Sequence, residues 1–462
     1  MGEEVQIKAT RRHTRRVVAM AACVLAPVLL SYAIRRGFQG EMPMPDFGGI
    51  YFGARCALHG ADPFNRDAFM AELKTDNAGF WDGYLKVEKL TGSPTVQVYP
   101  PTTLLAAVPL AVLPWAWAQN VFMGVSAGFL VVAALLVWNL GEEFGRRWRG
   151  LLAGFVVVNS LLIFLHGNPA GLAVSFCIIA AWCFLKQRYA WAGVVLLGLS
   201  LAIKPHDAGF VWLYFLLAGG VLRKRALQSL AVACVVGIGA VAWITPSAPH
   251  WLGELRANVH TLSAPGHIND PGPSRLSEKN FGPIIDLQSA AGIVRNEPRF
   301  YNPVSYAIGG GLILVWAVVG LRRRFSMEGA LLALAAIAVL SLLPVYHRSN
   351  DAKLLLLTIP ACALLWEMGG ARRWVAVALT SAAIFVTSDF PIMCVVLLTS
   401  RLTLTASTLA GKLLLLLLEP APLVLLATGC FYLWAYVRYV GSADRIALQD
   451  RASGRAAQVA TN

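Results

Sequence analysis

Apolar runs of about 17 to 25 residues recur along almost the whole chain, each long enough to cross a hydrocarbon layer of roughly 30 Å as a helix. Within lipid a helix satisfies its own backbone N–H and C=O groups, so repeated runs of this length predict an all-α polytopic membrane protein. About twelve transmembrane helices fit the pattern. The chain is 57% hydrophobic and 14% charged, with a mean hydropathy of +0.60, which excludes an ordinary soluble domain of 462 residues.

The first run, Val17 to Ile34, follows Arg11, Arg12, Arg15 and Arg16. Ser31 and Ala33 would suit signal cleavage, but the many later runs favour an uncleaved first helix. Of eight cysteines, Cys23, Cys177, Cys183, Cys234, Cys362, Cys394 and Cys430 lie inside apolar runs, and Cys56 sits in a polar stretch. That distribution predicts neither a disulfide framework nor a metal cluster.

The formal net charge of +14 raises nucleic acid binding as a reading, and its distribution answers it. Basic clusters alternate with polar loops. The N-terminus, Arg146 to Arg149, Lys186 with Arg188, Arg223 to Arg225, Arg322 to Arg324, Arg372 with Arg373 and the C-terminal tail fall on one face, and together they carry the whole excess. Basic connectors mark the cytoplasmic side and face an anionic leaflet, so no nucleic acid partner is needed. Both termini are then cytoplasmic, with residues 1–440 forming one membrane domain and 441–462 a cytoplasmic tail.

The same parity puts outward loops at 35–99, 166–169, 204–207, 245–303, 346–351 and around Arg401. The segment Pro100 to Pro114, PPTTLLAAVPLAVLP, is short and proline-rich and is read as a re-entrant or half-inserted element; a full span there would invert every later connector. The first long loop has helix-like stretches such as Arg66 to Lys74 and should form a cap on the membrane surface. The loop 245–303, rich in Pro, Gly, Asn and Ser, reads as irregular structure suited to a lid.

No Walker A, dinucleotide fingerprint, zincin motif, nucleophile elbow or Asp-x-Asp signature is present. What remains is a set of polar motifs at the outer helix ends. Asp46 could be a general base or a helix-capping acid. GADPF at Gly60 to Phe64 has turn chemistry, and Tyr99-Pro100-Pro101 an extended entry to the next element. Lys204, in KPHD, would suit a phosphate or could snorkel at a helix end, and His206 and Asp207 could orient a ligand or start the next helix. The densest cluster is YHRSNDAK, which packs His347, Arg348, Asp351 and Lys353 into one turn; it fits phosphate and hydroxyl recognition, or an interfacial cap anchored by Tyr346. His250, His260 and His267 show no ligand spacing; HGNP at His166 to Pro169 marks another outer turn, and Glu419 an acid near the last span.

Taken together, the pattern D-x4-Y-x2-A-x5-G-x-D-P-F from Asp46 to Phe64, YPP, HGNP, KP at Lys204 and YHRxxD resemble bacterial GT-C glycosyltransferases. More narrowly, the chain is similar to the family containing mycobacterial polyprenyl-phosphomannose-dependent α-mannosyltransferases of phosphatidylinositol mannoside synthesis. The resemblance implies a GT-C-like helix bundle, a polyprenyl-phosphate sugar donor, a lipid or glycan acceptor, and a site on the non-cytoplasmic face of the plasma membrane. It places Asp46 as the base. Phe64 stands where Tyr is common, and His206 follows KP.

Under that reading Asp46 is catalytic. Lys204, His347 and Arg348 hold the donor phosphate, while Tyr51, Tyr99, His206 and Asp351 contact substrate. No metal and no cofactor are expected, and because a polyprenyl phosphate already leaves well, one carboxylate base suffices. The rival reading is a lipid-linked sugar flippase or transporter, which would carry paired ionisable residues in mid-membrane and broken helices in internal repeats; these runs are nearly free of charge.

Overall fold

A computed structural model describes residues 44–75, 88–89, 92–141, 148–273, 284–321, 325–399 and 406–460. The first apolar run and the RRR connector lie outside the described residues. Helices account for the architecture: the described residues contain no strand, only a single antiparallel bridge between Ile284 and Arg348.

Two helices form the centre. Ala170–Leu185 and Met327–Leu340 are apolar on every face, and nearly all their side chains are buried. A helix with no polar stripe can only be stable inside other helices or lipid. Ala170–Leu185 packs against Trp115–Leu140 and Ala190–Ile203, and Met327–Leu340 against the first half of Ala421–Ala460. Trp316 Nε1 donates to the Ala333 carbonyl at 3.0 Å, giving the buried indole the partner that an apolar interior otherwise denies it.

The outer helices read the opposite way. Val235 and Ile238 on Gly220–Ile244 are each 71% exposed, and Leu314 on Pro298–Leu321 is 64% exposed. Apolar exposure of this extent on helices of this length is the signature of a lipid-facing surface. Four helices among the described residues are long and apolar enough to cross a bilayer: Trp115–Leu140, Gly220–Ile244, Pro298–Leu321 and Ala421–Gly441. The other apolar helices are shorter, so the count of about twelve spans is not reproduced. Helices meet at the connectors Lys204-Pro205 and Gly219-Gly220, both glycines having positive φ. Pro101–Ala111, at 11 residues and about 16 Å, is too short to cross alone.

Outside this body the polar loops are built rather than loose. Pro45–Leu58 and Arg66–Lys74 form the described part of the first loop, the second with the bounds its composition suggested. GADPF is a turn in which Asp62 Oδ1 accepts from the Phe64 N–H at 2.8 Å, and Asn65 caps Arg66–Lys74. The loop 245–303 differs from its irregular reading. It contains the helices Trp251–Leu262 and Leu287–Val294, and Asn258 ties the first of these to the cap by donating to the carbonyls of Phe64 and Gln97, each at 3.0 Å. The last helix continues through the segment assigned to the tail, ending at Ala460.

Candidate active site

Lys204 owes its position to the proline after it. Pro205 disfavours helical geometry at the preceding residue, so Ala190–Ile203 ends, Lys204 takes φ −142 and ψ 83, and a new helix starts with Pro205 in its first turn. Thr102 and Thr103, just after YPP, donate to the carbonyls of Ala202 and Ile203. The break is thereby fixed against the start of Pro101–Ala111. The Lys204 ammonium bonds the Asp351 carboxylate and lies 3.4 Å from Asp207 Oδ2. Burial opposes charge on these groups, but Asp207 and Asp351 hold the lysine above its ordinary range. Lys204 overcomes burial to hold Asp351 down at about 2.

The YHRSND segment supplies Asp351 and is itself clamped from the long loop. The Ile285 N–H donates to the His347 carbonyl at 3.0 Å, and the His347 N–H to Asp286 Oδ2 at 3.3 Å. The Arg348 N–H donates to Asp351 Oδ2 at 2.9 Å. Arg348 lies over the Tyr346 ring, its Nε donates to the Tyr346 hydroxyl, and its Nη2 reaches the Ile268 carbonyl and Asn269 Oδ1. That hydroxyl in turn donates to Asn269 Oδ1 at 2.8 Å. The guanidinium plane is therefore held by residues from two distant segments, with its charge at the site.

Asp46 stands in the first turn of Pro45–Leu58, where the helix dipole favours a carboxylate. Asn168 Nδ2 donates to Asp46 Oδ2 at 2.7 Å, while Asn168 Oδ1 accepts from the Ala170 N–H at 2.9 Å. One amide thus orients the acid and caps the central helix. Gly167 lets the turn come this close: its φ is +64, and a Cβ there would meet Phe47 Cβ at 2.5 Å. Asp46 is half-buried and within electrostatic reach of His166, Tyr346 and Arg348.

Lys204, His206, His347 and Asp351 are therefore linked through one chain of contacts that Arg348 joins by its backbone N–H, and Asp46 and Tyr99 lie within electrostatic reach of Arg348. Tyr51 is not part of it. Its ring is fully buried against Trp115, and its hydroxyl donates to the Leu113 carbonyl at 2.7 Å, which gives it a packing role. Lys353 also points elsewhere, bonding the Asn159 carbonyl at 2.8 Å beside Asp389. Sequence reading did not single out Asn168 as the partner of Asp46, nor Asn269 as that of Arg348. The HGNP turn was the available signal for the first; nothing in the composition of the long loop marks the second.

Among the described residues, a helical body with outward-facing apolar helices long enough to cross a bilayer defines the class as a membrane protein. The chain belongs to glycosyltransferase family 87, whose sequence model matches residues 98–346, more than half of the protein. No curated protein and no solved structure matches the chain. The matched segment includes Tyr99, Asn168, Lys204 and Tyr346; Asp46, His347, Arg348 and Asp351 lie outside it.

Proposed function

We propose that this glycosyltransferase moves a hexose, mannose-like in its resemblance, from a polyprenyl-phosphate donor to a lipid or glycan acceptor on the non-cytoplasmic face of a multi-pass plasma membrane protein. The observation that carries the reading is the meeting of the KP turn with the YHRSND segment: the Lys204 ammonium bonds Asp351, which also accepts from the Arg348 backbone N–H, and Asp46 lies in electrostatic reach of the Arg348 guanidinium. A cationic pair suits a phosphate diester or monoester, and a nearby carboxylate suits a hydroxyl nucleophile.

In the proposed step the acceptor oxygen attacks the anomeric carbon as Asp46 takes its proton. The bond from that carbon to the phosphate oxygen breaks, and the electron pair leaves with the polyprenyl phosphate. Lys204 and Arg348 offset the charge that grows on the leaving oxygen, in a setting from which water is largely excluded. Lys204 has three N–H donors, so its bond to Asp351 leaves capacity for a phosphate oxygen. Direct displacement inverts the anomeric centre. Tyr99, His206 and Asp351 would shape the substrate end of the site.

Membranes carrying the protein and a radiolabelled polyprenyl-phosphate hexose supply the test. Asp46→Asn should lower transfer by at least about 100-fold, the usual range for loss of a general base. Transfer at the wild-type rate by Asp46→Asn at matched expression would sink the mechanism.

A further inference from the structure

We infer that His206, Asp207 and His347 form a binding site for one divalent transition-metal ion, zinc by its ligand chemistry. Their ring nitrogens and a carboxylate oxygen lie within 4.8 Å of one another, the one such group among the described residues. Asp207 Oδ1 is 3.7 Å from His206 Nε2 and 3.6 Å from His347 Nε2. Ligands about 2.0–2.1 Å from a tetrahedral zinc are separated from each other by about 3.3 Å, so these atoms need only a small inward shift.

Two groups that could each hold a cation face one another, His347 Nε2 and Asp207 Oδ1, 3.6 Å apart. His347 Nδ1 donates to the Val345 carbonyl at 2.8 Å, which fixes the ring and turns Nε2 towards Asp207. That nitrogen is buried and has no hydrogen-bond partner, and the same holds for Asp207 Oδ1, while Oδ2 faces the Lys204 ammonium. Side-chain exposure is nil for both residues. Leaving such buried groups unmatched is unfavourable, more so when they are charged. A ring whose other nitrogen bonds a backbone carbonyl is the usual arrangement of a metal-ligating histidine. Two imidazoles with one carboxylate favour a borderline ion over magnesium or calcium, which prefer oxygen.

Lys204 lies close, yet it takes the other side of the carboxylate. Its ammonium is 3.4 Å from Asp207 Oδ2, while both histidines approach Oδ1. Asp351 adds a second negative charge that Lys204 also serves. His206, with its side chain 38% exposed, keeps the site open on one side. Three protein ligands leave a fourth position for water; that a donor phosphate oxygen takes it during turnover rests on the transferase reading above.

The full-length protein in detergent, stripped with chelator, loaded with Zn²⁺ alone and desalted, should retain about one ion per chain by elemental analysis. His206→Ala, whose half-exposed side chain can be removed with the fold intact, should weaken Zn²⁺ binding at least about 100-fold, and His347→Ala should do the same. Co²⁺ in place of Zn²⁺ should give visible absorption bands of a four-coordinate site, lost in His206→Ala. Folded wild-type protein holding no more zinc than a buffer blank would assign the Asp207–His347 contact to a shared proton and overturn the site. Equal uptake by wild type and His206→Ala would overturn it as well. Uptake is read without donor or acceptor, so its failure leaves the transferase reading standing, and failed transfer by a zinc-loaded chain leaves the metal site standing.

Discussion

At the scale of single residues, the site depends on charges that are buried together. Lys204, Asp207 and Asp351 sit largely out of water, and removing one member leaves the others uncompensated. Lys204→Ala should therefore destabilise the protein by about 3–5 kcal/mol, visible as a lower unfolding temperature in detergent, besides abolishing transfer. If Lys204→Ala unfolds like wild type, the ion cluster is not the structural tie described here. Asn168 illustrates the other economy of the site, one amide serving as helix cap and as orienting donor to Asp46. Its type suggested only a turn; the second role needed Asp46 brought alongside.

Among elements, the breaks matter more than the helices. The Lys204-Pro205 break separates two helices and turns an ammonium inward at their junction. The HGNP turn does the same for Asn168, and its close approach makes Gly167 intolerant of a side chain. Gly167→Ala combines a left-handed backbone with overlap against Phe47, so it should cost about 2 kcal/mol or more and reduce transfer along with stability. Transfer and thermal unfolding measured on the same preparation check this; wild-type values for both would refute the close-approach account. The break was legible from the proline, and the helix Arg66–Lys74 from its composition. The helices inside the long loop were not, because Pro, Gly and Asn dominate it and only tertiary contacts such as Asn258 with Phe64 and Gln97 hold them.

For the whole molecule, apolar-faced helices surround a core of shorter, fully apolar ones, and the positive-inside rule predicts that the basic connectors face the cytoplasm. A Gly150→Cys variant should react with an impermeant maleimide only from the cytoplasmic side; labelling from outside alone would invert the topology. Native Cys56 will not confuse that experiment. Burial, then Glu72 and Asp62, push its thiol up to about 12, so below that pH it stays a thiol and reacts slowly. Sequence length limits the inference differently: an apolar run shows that a segment avoids water, but a helix inside the protein and a helix across the bilayer satisfy that equally. Hence about twelve runs reduced to four helices of crossing length among the described residues.

By itself the sequence determined the solvent, the helical class and the residue types available for phosphate and proton chemistry. These follow from hydropathy, charge and local turn preferences, which are properties of neighbouring residues. The tertiary structure alone decided which motifs meet: that Tyr51 is core, that Asp46 is held by Asn168, that Lys204 joins Asp351, and that His347 faces His206 and Asp207. Such pairings depend on how buried helices pack, and similar apolar surfaces carry no local record of their partner.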